Sequence, residues 1–240
     1  MQAVILAGGM GTRLRPYTTV FPKPLMPVGD MPILELVLRQ LKRHGFNRIT
    51  LAVSHLAELI EAFCGDGSRF GLKIRYSREP KMLSTAGPLR LIDGLDDTFL
   101  VMNGDLLTTL DYAAAVRFHR ERKACATICM QKRHVKIDYG VIEADPEGRL
   151  SRYIEKPQID YAVSMGINIL EPRALGYIRP DEVLGMPDLM LRLMEAGETV
   201  MTFEAPGLWL DIGRPEDYER AVEIFLDRRE EFLAGGGPGA

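Results

Sequence analysis

Apolar residues along the first half of the chain fall into two alternating rhythms. Ala3-Val4-Ile5-Leu6 is a short unbroken apolar run, the pattern of a strand buried on both faces. Ile33, Leu34, Val37, Leu38 and Leu41 then recur at helical spacing, predicting a helix over Pro32–His44 with Gly45 placed to end it. Arg48–Val53 predicts a second strand and Leu56–Phe63 a second helix. The loop residues Gly65-Asp66-Gly67-Ser68 precede a third strand, Leu72–Tyr76. A helix near Pro88–Ile92 leads into Thr98–Met102, another buried-strand run. This alternation predicts an α/β fold, doubly wound around a mostly parallel mixed sheet.

The second half is more mixed. Ala124–Met130, Gly140–Glu143, Val163–Leu170 and Thr199–Phe203 read as strands. Short helices are expected at Pro172–Tyr177 and Pro187–Glu195, and a closing amphipathic helix at Pro215–Phe232. With no internal repeat and no linker, 1–233 reads as a single domain. Its first half covers about 1–110, and its second, about 111–233, forms a small lobe folded onto the first. The glycine-rich 234–240 reads as a disordered tail.

Composition narrows the classes. A formal charge of -3 on 240 residues gives no general attraction to nucleic acid or anionic membrane, so any phosphate binding must come from locally placed cations. No apolar run is long enough to span a bilayer, and the chain enters a strand without a signal peptide, which predicts a cytoplasmic protein. Three cysteines without metal spacing predict buried thiols; Cys125 and Cys129, four apart, would share one strand face.

Chemistry concentrates where the first strand ends. In Leu6-Ala7-Gly8-Gly9-Met10-Gly11-Thr12-Arg13-Leu14-Arg15-Pro16, glycines let backbone N–H groups turn toward an anion, while Arg13 and Lys23 add fixed positive charge. A strand, a glycine loop and two cations describe a polyphosphate cradle. The spacing fits neither a dinucleotide fingerprint nor a P-loop. Asn103-Gly104-Asp105 follows a buried strand, which puts the Asp105 carboxylate on the same sheet edge, where it suits Mg²⁺; the same tripeptide also serves as an ordinary strand-closing turn. In Trp209-Leu210-Asp211-Ile212-Gly213-Arg214-Pro215-Glu216-Asp217-Tyr218, Asp211 is presented before a helix that Pro215 opens. Glu216 and Asp217 offset its dipole, and Trp209 reads as packing. Glu155-Lys156-Pro157 leaves Lys156 at a strand end as a point charge for a phosphate. Glu79-Pro80-Lys81-Met82-Leu83-Ser84-Thr85-Ala86-Gly87-Pro88-Leu89 is a small-residue segment on which a planar base can lie.

Together, in this order, these segments resemble the sugar-1-phosphate nucleotidyltransferases, or nucleotide-sugar pyrophosphorylases, from Ala3 to about Phe225. The look is nearest to mannose- and heptose-1-phosphate guanylyltransferases. The resemblance implies a Rossmann-like nucleotide-diphospho-sugar transferase fold with a nucleotide half and a small sugar-binding lobe. It implies condensation of an NTP, GTP favoured, with a hexose or heptose 1-phosphate, releasing pyrophosphate with Mg²⁺ as cofactor. It places the nucleotide at Leu6, Ala7, Gly8, Gly9, Gly11, Thr12, Arg13, Lys23, Glu79, Thr85, Gly87 and Gly104. The sugar phosphate falls at Tyr139, Gly140, Glu155, Lys156, Gly166 and Asn168, and the metal at Asp105 and Asp211. Arg13, Lys23 and Lys156 carry catalysis. Ser164 and Asn168 stand where many relatives have asparagine and tyrosine facing the sugar, which leaves the acceptor open. A homo-oligomer is compatible with this reading. The chain carries no left-handed β-helix module, so acyltransferase activity and module-borne regulation are not expected. Two other readings stand beside it: a cytidylyl-, uridylyl- or thymidylyltransferase, including one acting on a non-sugar phosphate or phosphonate, and a catalytically silent nucleotide-sugar sensor. His44, His55, His119 and His134 read as structural or surface residues.

Overall fold

The computed structural model describes residues 1–234. Its strands are β1 (Gln2–Leu6), β2 (Pro27–Val28), β3 (Met31–Pro32), β4 (Arg48–Val53), β5 (Lys73–Arg78), β6 (Phe99–Asn103), β7 (Leu106–Thr108), β8 (Ala126–Lys136), β9 (Val141–Ala144), β10 (Leu150–Ile154), β11 (Gln158–Leu170), β12 (Val200–Glu204) and β13 (Trp209–Asp211). Its α-helices are α1 (Ile33–Arg43), α2 (Ala57–Cys64), α3 (Tyr112–Glu121), α4 (Met186–Glu195), α5 (Pro215–Asp227) and α6 (Arg229–Ala234).

Seven strands form one sheet in the order β12-β8-β11-β6-β1-β4-β5. Every pairing in it is parallel except those of β11, which runs against β6 and β8. The expected mixed, mostly parallel α/β sheet is therefore present, and the β1 glycine loop leaves its middle, at the carboxyl edge where such sheets bind ligands.

Alternation along each strand divides the core. Ala3, Ile5, Leu100, Met102, Ile167 and Ile169 point to the layer of α1, α2, α3, α5 and α6. Val4, Val101 and Leu170 point to the other face, which α4 and neighbouring short helical turns cover. That second layer is thinner, and there the sheet is left open to a ligand.

Several sequence expectations are corrected. The segment near Pro88 is a 3-10 turn, Gly87–Leu91, and the closing helix breaks into α5 and α6 at Arg228. Strands β8 and β11 run far past the expected ends and pair as a long ribbon, Gln158–Ser164 against Met130–Lys136. Beyond the ribbon, β9 pairs with β10, a strand with no predicted counterpart. All three cysteines are buried and unpaired, but Cys125 and Cys129 do not share a face: Cys125 precedes β8 and packs in the α4 layer, Cys129 in the opposite one. Of the expected 234–240 tail, Ala234 ends α6, and the rest lies outside the described residues.

Candidate active site

Two cavities lie side by side along the carboxyl edge of the sheet. The first, about 350 Å³, is lined by Leu6, Ala7, Gly8 and Gly9 from the first loop, with Lys23, Glu79, Thr85, Asn103 and Asp105. The second, about 540 Å³, opens on the α4 side of the sheet and takes in Ser164, Gly166, Asn168, Trp209 and Asp211. Leu6, Thr85 and Asn103 border both, so the cavities meet along a shared wall.

The first cavity owes its shape to close backbone approach. A Cβ on Gly8 would lie 2.9 Å from the Glu79 Oε1 and 3.1 Å from the Ser54 Cβ, so any larger residue would fill the cradle. Glu79 leaves the end of β5; its Oε2 accepts the Leu83 N–H at 3.0 Å, which fixes the carboxyl toward the glycine loop. Burial raises its pKa, and the Leu83 hydrogen bond opposes the rise. Gly104, between Asn103 and Asp105, donates its N–H to the Leu6 carbonyl at 2.9 Å and so ties the two strand ends together.

Cations and carboxylates gather at the junction. Lys23 Nζ pairs with Asp105 Oδ2, both partly buried. Asp211 reaches the same place from β13, which pairs with β7 so that Asp211 stands opposite Leu106. Partial burial and the neighbouring Asp105 carboxylate raise the Asp211 pKa, while Lys23 and Arg13 lower it. Arg13, in the 3-10 turn Thr12–Leu14, holds its guanidinium beside Gly213, two residues past Asp211. Two carboxylates that repel one another, with cations around them, fit a magnesium ion, which takes one or two protein carboxylates and fills its remaining positions with water and phosphate. Among the described residues no group of three or more His, Cys, Asp or Glu side chains forms a ready-made metal cage.

Gly166 lines the second cavity, and most of the other expected residues sit further out. Gly11 accepts a hydrogen bond from the Thr18 hydroxyl at 2.7 Å, outside both cavities. Gly87 also lines neither: a Cβ there would strike the Glu182 carbonyl, so its glycine serves packing against that segment. Gly166 has φ +70°, and a Cβ would lie 2.7 Å from the Asn103 amide nitrogen. Tyr139, Gly140, Glu155 and Lys156 gather at the outer end of the ribbon. There the Tyr153 hydroxyl donates to Glu155 at 3.2 Å, and a Cβ on Gly140 would strike Tyr153. Lys156 holds a left-handed φ of +44°, a conformation costly for a side-chain-bearing residue.

Some lining residues were not singled out from the sequence as site residues. Asn103 borders both cavities, and Trp209, expected to pack, also walls the second, with its indole N–H donating to the Met165 carbonyl at 3.0 Å. Arg133 stacks on Trp209, 5.1 Å from the ring centre, and donates to its carbonyl at 3.2 Å. The histidines stay outside both cavities. His119 is fully buried between the Thr127 hydroxyl at 2.8 Å and Glu171 at 3.1 Å, whereas His134 pairs with Asp160 in the open.

Residues 2–228 match the family model described as nucleotidyl transferase. Among curated proteins, a UTP–glucose-1-phosphate uridylyltransferase of Synechocystis is 39% identical over 95% of this chain and 64% of its own length. The mannose-1-phosphate guanylyltransferase catalytic subunit beta of Xenopus tropicalis is 33% identical over 94% of this chain and 65% of its own. The chain thus spans a little under two thirds of these relatives. Among solved structures, HddC from Yersinia pseudotuberculosis complexed with GMP-PN superposes with a TM-score of 0.69, at 26% identity, over 93% of this chain and 99% of that one. A Bacillus anthracis chain solved with a sucrose reaches a TM-score of 0.76 over 100% and 98%; at 24% identity it shows the fold alone.

Proposed function

Since the chain belongs to the nucleotidyl transferase family, we propose that it joins a nucleoside triphosphate to a sugar 1-phosphate and releases pyrophosphate. The observation that carries this reading is the pair of adjoining cavities, one lined by the glycine loop and Asp105, the other by Asp211, with Leu6, Thr85 and Asn103 common to both. A reaction between two phosphorylated substrates needs two such sites meeting where the phosphorus is attacked. On this reading 1–233 works as one domain, its first half taking the nucleotide and its second the acceptor.

The nucleophile is a phosphate oxygen, already ionised at neutral pH, so no general base is required. It attacks the α-phosphorus in line; the new P–O bond forms as the bond to the β-phosphate oxygen breaks and pyrophosphate leaves with that electron pair. The protein's task is alignment and charge neutralisation. Lys23 and Arg13 grip the triphosphate and the departing pyrophosphate. Asp105 and Asp211 would hold Mg²⁺, which when bound offsets negative charge on the reacting phosphates. Lys156 meets the acceptor phosphate from the ribbon, countering repulsion between two anions.

For the base, GTP is favoured. The Glu79 carboxyl lines the nucleotide cavity, and it can accept from the adjacent N1–H and exocyclic amine of guanine, a donor pair absent from the other common bases. The GMP-PN complex of the similar HddC chain supports this choice. UTP is the second reading, because the 39% identical relative is named a uridylyltransferase. The test is pyrophosphate release with ATP, CTP, GTP, UTP and dTTP, each against a panel of sugar 1-phosphates. We expect release with GTP that stops in excess EDTA. Better turnover with a pyrimidine triphosphate would remove the GTP assignment, and no release from any pair would remove the whole reading.

A further inference from the structure

The acceptor-side cavity is divided by chemistry. Its floor is a row across the sheet, Val101, Asn168 and Ile128, which the strand register places side by side on the α4 face. Facing that floor, Met186, Met190, Leu191 and Met194 line the cavity from one stripe of α4. No charged or hydrogen-bonding side chain of α4 borders it.

The polar groups that do line the cavity come from the sheet and the neighbouring loops, and several are already engaged. The Thr85 hydroxyl accepts the Met186 N–H at 2.7 Å, the Ser164 hydroxyl accepts the Gly166 N–H at 3.3 Å, and the Trp209 indole N–H is held by Met165. Asn103, Asn168 and Asp211 remain to read a ligand. Asn168 is only 4% exposed and sits on the cavity floor. A ring with hydroxyls all round would satisfy the asparagines but press other hydroxyls against methionine, where they lose water and gain nothing.

Resting on the nucleotidyltransferase reading above, we propose that the acceptor is a sugar 1-phosphate carrying an apolar substituent, an acyl or deoxy methyl group, which packs against the methionine stripe of α4 while its polar edge meets Asn103 and Asn168. Methionine's flexible thioether suits a small apolar group of irregular shape. Each methyl-sized group in such a pocket is worth roughly 10–200-fold in discrimination.

The test compares kcat/KM for glucose 1-phosphate and mannose 1-phosphate with their 6-deoxy and 2-acetamido-2-deoxy counterparts, at saturating nucleotide. One modified class should exceed its parent hexose phosphate by about tenfold or more; the winning class distinguishes methyl from acyl. The double variant Leu191→Gln with Met194→Gln changes two exposed residues, 57% and 59% accessible, so the core stays intact. It should shrink that preference by about tenfold through the acceptor KM while leaving the nucleotide KM unchanged. Parent hexose phosphates that serve equally well, or a preference unmoved in the double variant, would overturn the inference and leave the nucleotidyltransferase reading standing. Absence of pyrophosphate release with every acceptor and every triphosphate would overturn both.

Discussion

On the proposed function, the loop after β1 and the ribbon of β8 with β11 bring charges to one reaction on very different supports. The loop grows from strands whose central residues, Val4, Ile5, Leu100 and Val101, are shut off from solvent on both faces of the sheet. The ribbon leaves the sheet near Ser164 and carries its apolar residues partly in the open, Val135, Ile159 and Tyr161, and at its outer end Tyr139, Ile142, Leu150 and Tyr153 are each more than half exposed. Strand ends anchored in a core hold a carboxylate or a glycine turn to a fixed position. An exposed two-stranded arm opens at lower free-energy cost. On the same proposed function, Asp105, which must align the reacting phosphorus, follows a strand of that core, Asp211 joins it from the short β13, and Lys156, which need only meet the incoming acceptor, comes from the arm.

The sharpest way to break this contrast is at the carboxylates. Asp105→Asn and Asp211→Asn each keep shape and remove charge at the junction of the cavities. Loss of charge stabilisation of about 3–4 kcal/mol should lower kcat by roughly 10²–10³-fold in each, with far-ultraviolet circular dichroism unchanged. Full turnover in either would sink the two-carboxylate site. A combined variant little worse than the worse single one would show that the pair acts as a unit.

A second test separates the two supports. Arg13→Ala should weaken the handling of triphosphate and pyrophosphate, whereas Lys156→Ala should raise the acceptor KM by about 10–100-fold, the worth of a charge-assisted contact, with the nucleotide KM little changed. Steady-state rates with each substrate varied in turn decide it. An Arg13 defect seen only against the sugar phosphate would invert the assignment.

How much of this could be read beforehand follows the same division. The glycine loop and Asp105 were legible because a strand buried on both faces is an unbroken apolar run, and the glycines mark its end. The ribbon was not: with both faces in solvent, Gln131-Lys132-Arg133-His134-Val135-Lys136 carries no burial rhythm to extend β8 past Met130. Nor does Leu150-Ser151-Arg152-Tyr153-Ile154 reveal β10. The methionine wall was hidden for the opposite reason. A stripe at Met186, Met190 and Met194 reads as ordinary helix core, and only the gap between α4 and the sheet makes part of it a cavity lining. Trp209 reads from the sequence as packing, and it does pack, but it also lines the second cavity.

A smaller effect is expected at Glu79. Glu79→Gln keeps an acceptor for the Leu83 N–H and replaces the carboxylate oxygen facing the glycine loop with an amide. The preference for GTP over UTP should fall by about tenfold, with maximal turnover on GTP changed less. If the ratio of kcat/KM for the two triphosphates does not move, the backbone near Thr85 reads the base instead.

The smallest effect concerns the core end of β8 and β11, opposite the ribbon. His119 on α3 clasps Thr127 at the start of β8, and its other nitrogen meets Glu171, which also accepts from the Thr98 hydroxyl at 2.7 Å. Burial lowers the His119 pKa below its ordinary 6.5, with Glu171 opposing and Arg173 and Arg120 adding to the fall. His44 is lowered in the same way by burial, opposed by Asp111. Both rings thus stay neutral in the fold at a pH where the unfolded chain already takes up protons. Stability contributed by the neutral rings is complete above about pH 6.5 and is lost as pH falls from there toward the lowered folded values. Thermal unfolding should show a lower Tm at pH 5.5 than at pH 7.5. His119→Gln, starting from a lower Tm at pH 7.5, should lose less on acidification than the wild type. An equal loss in the variant would mean that other groups, and not His119 at the core end of β8, set the acid limit of the fold.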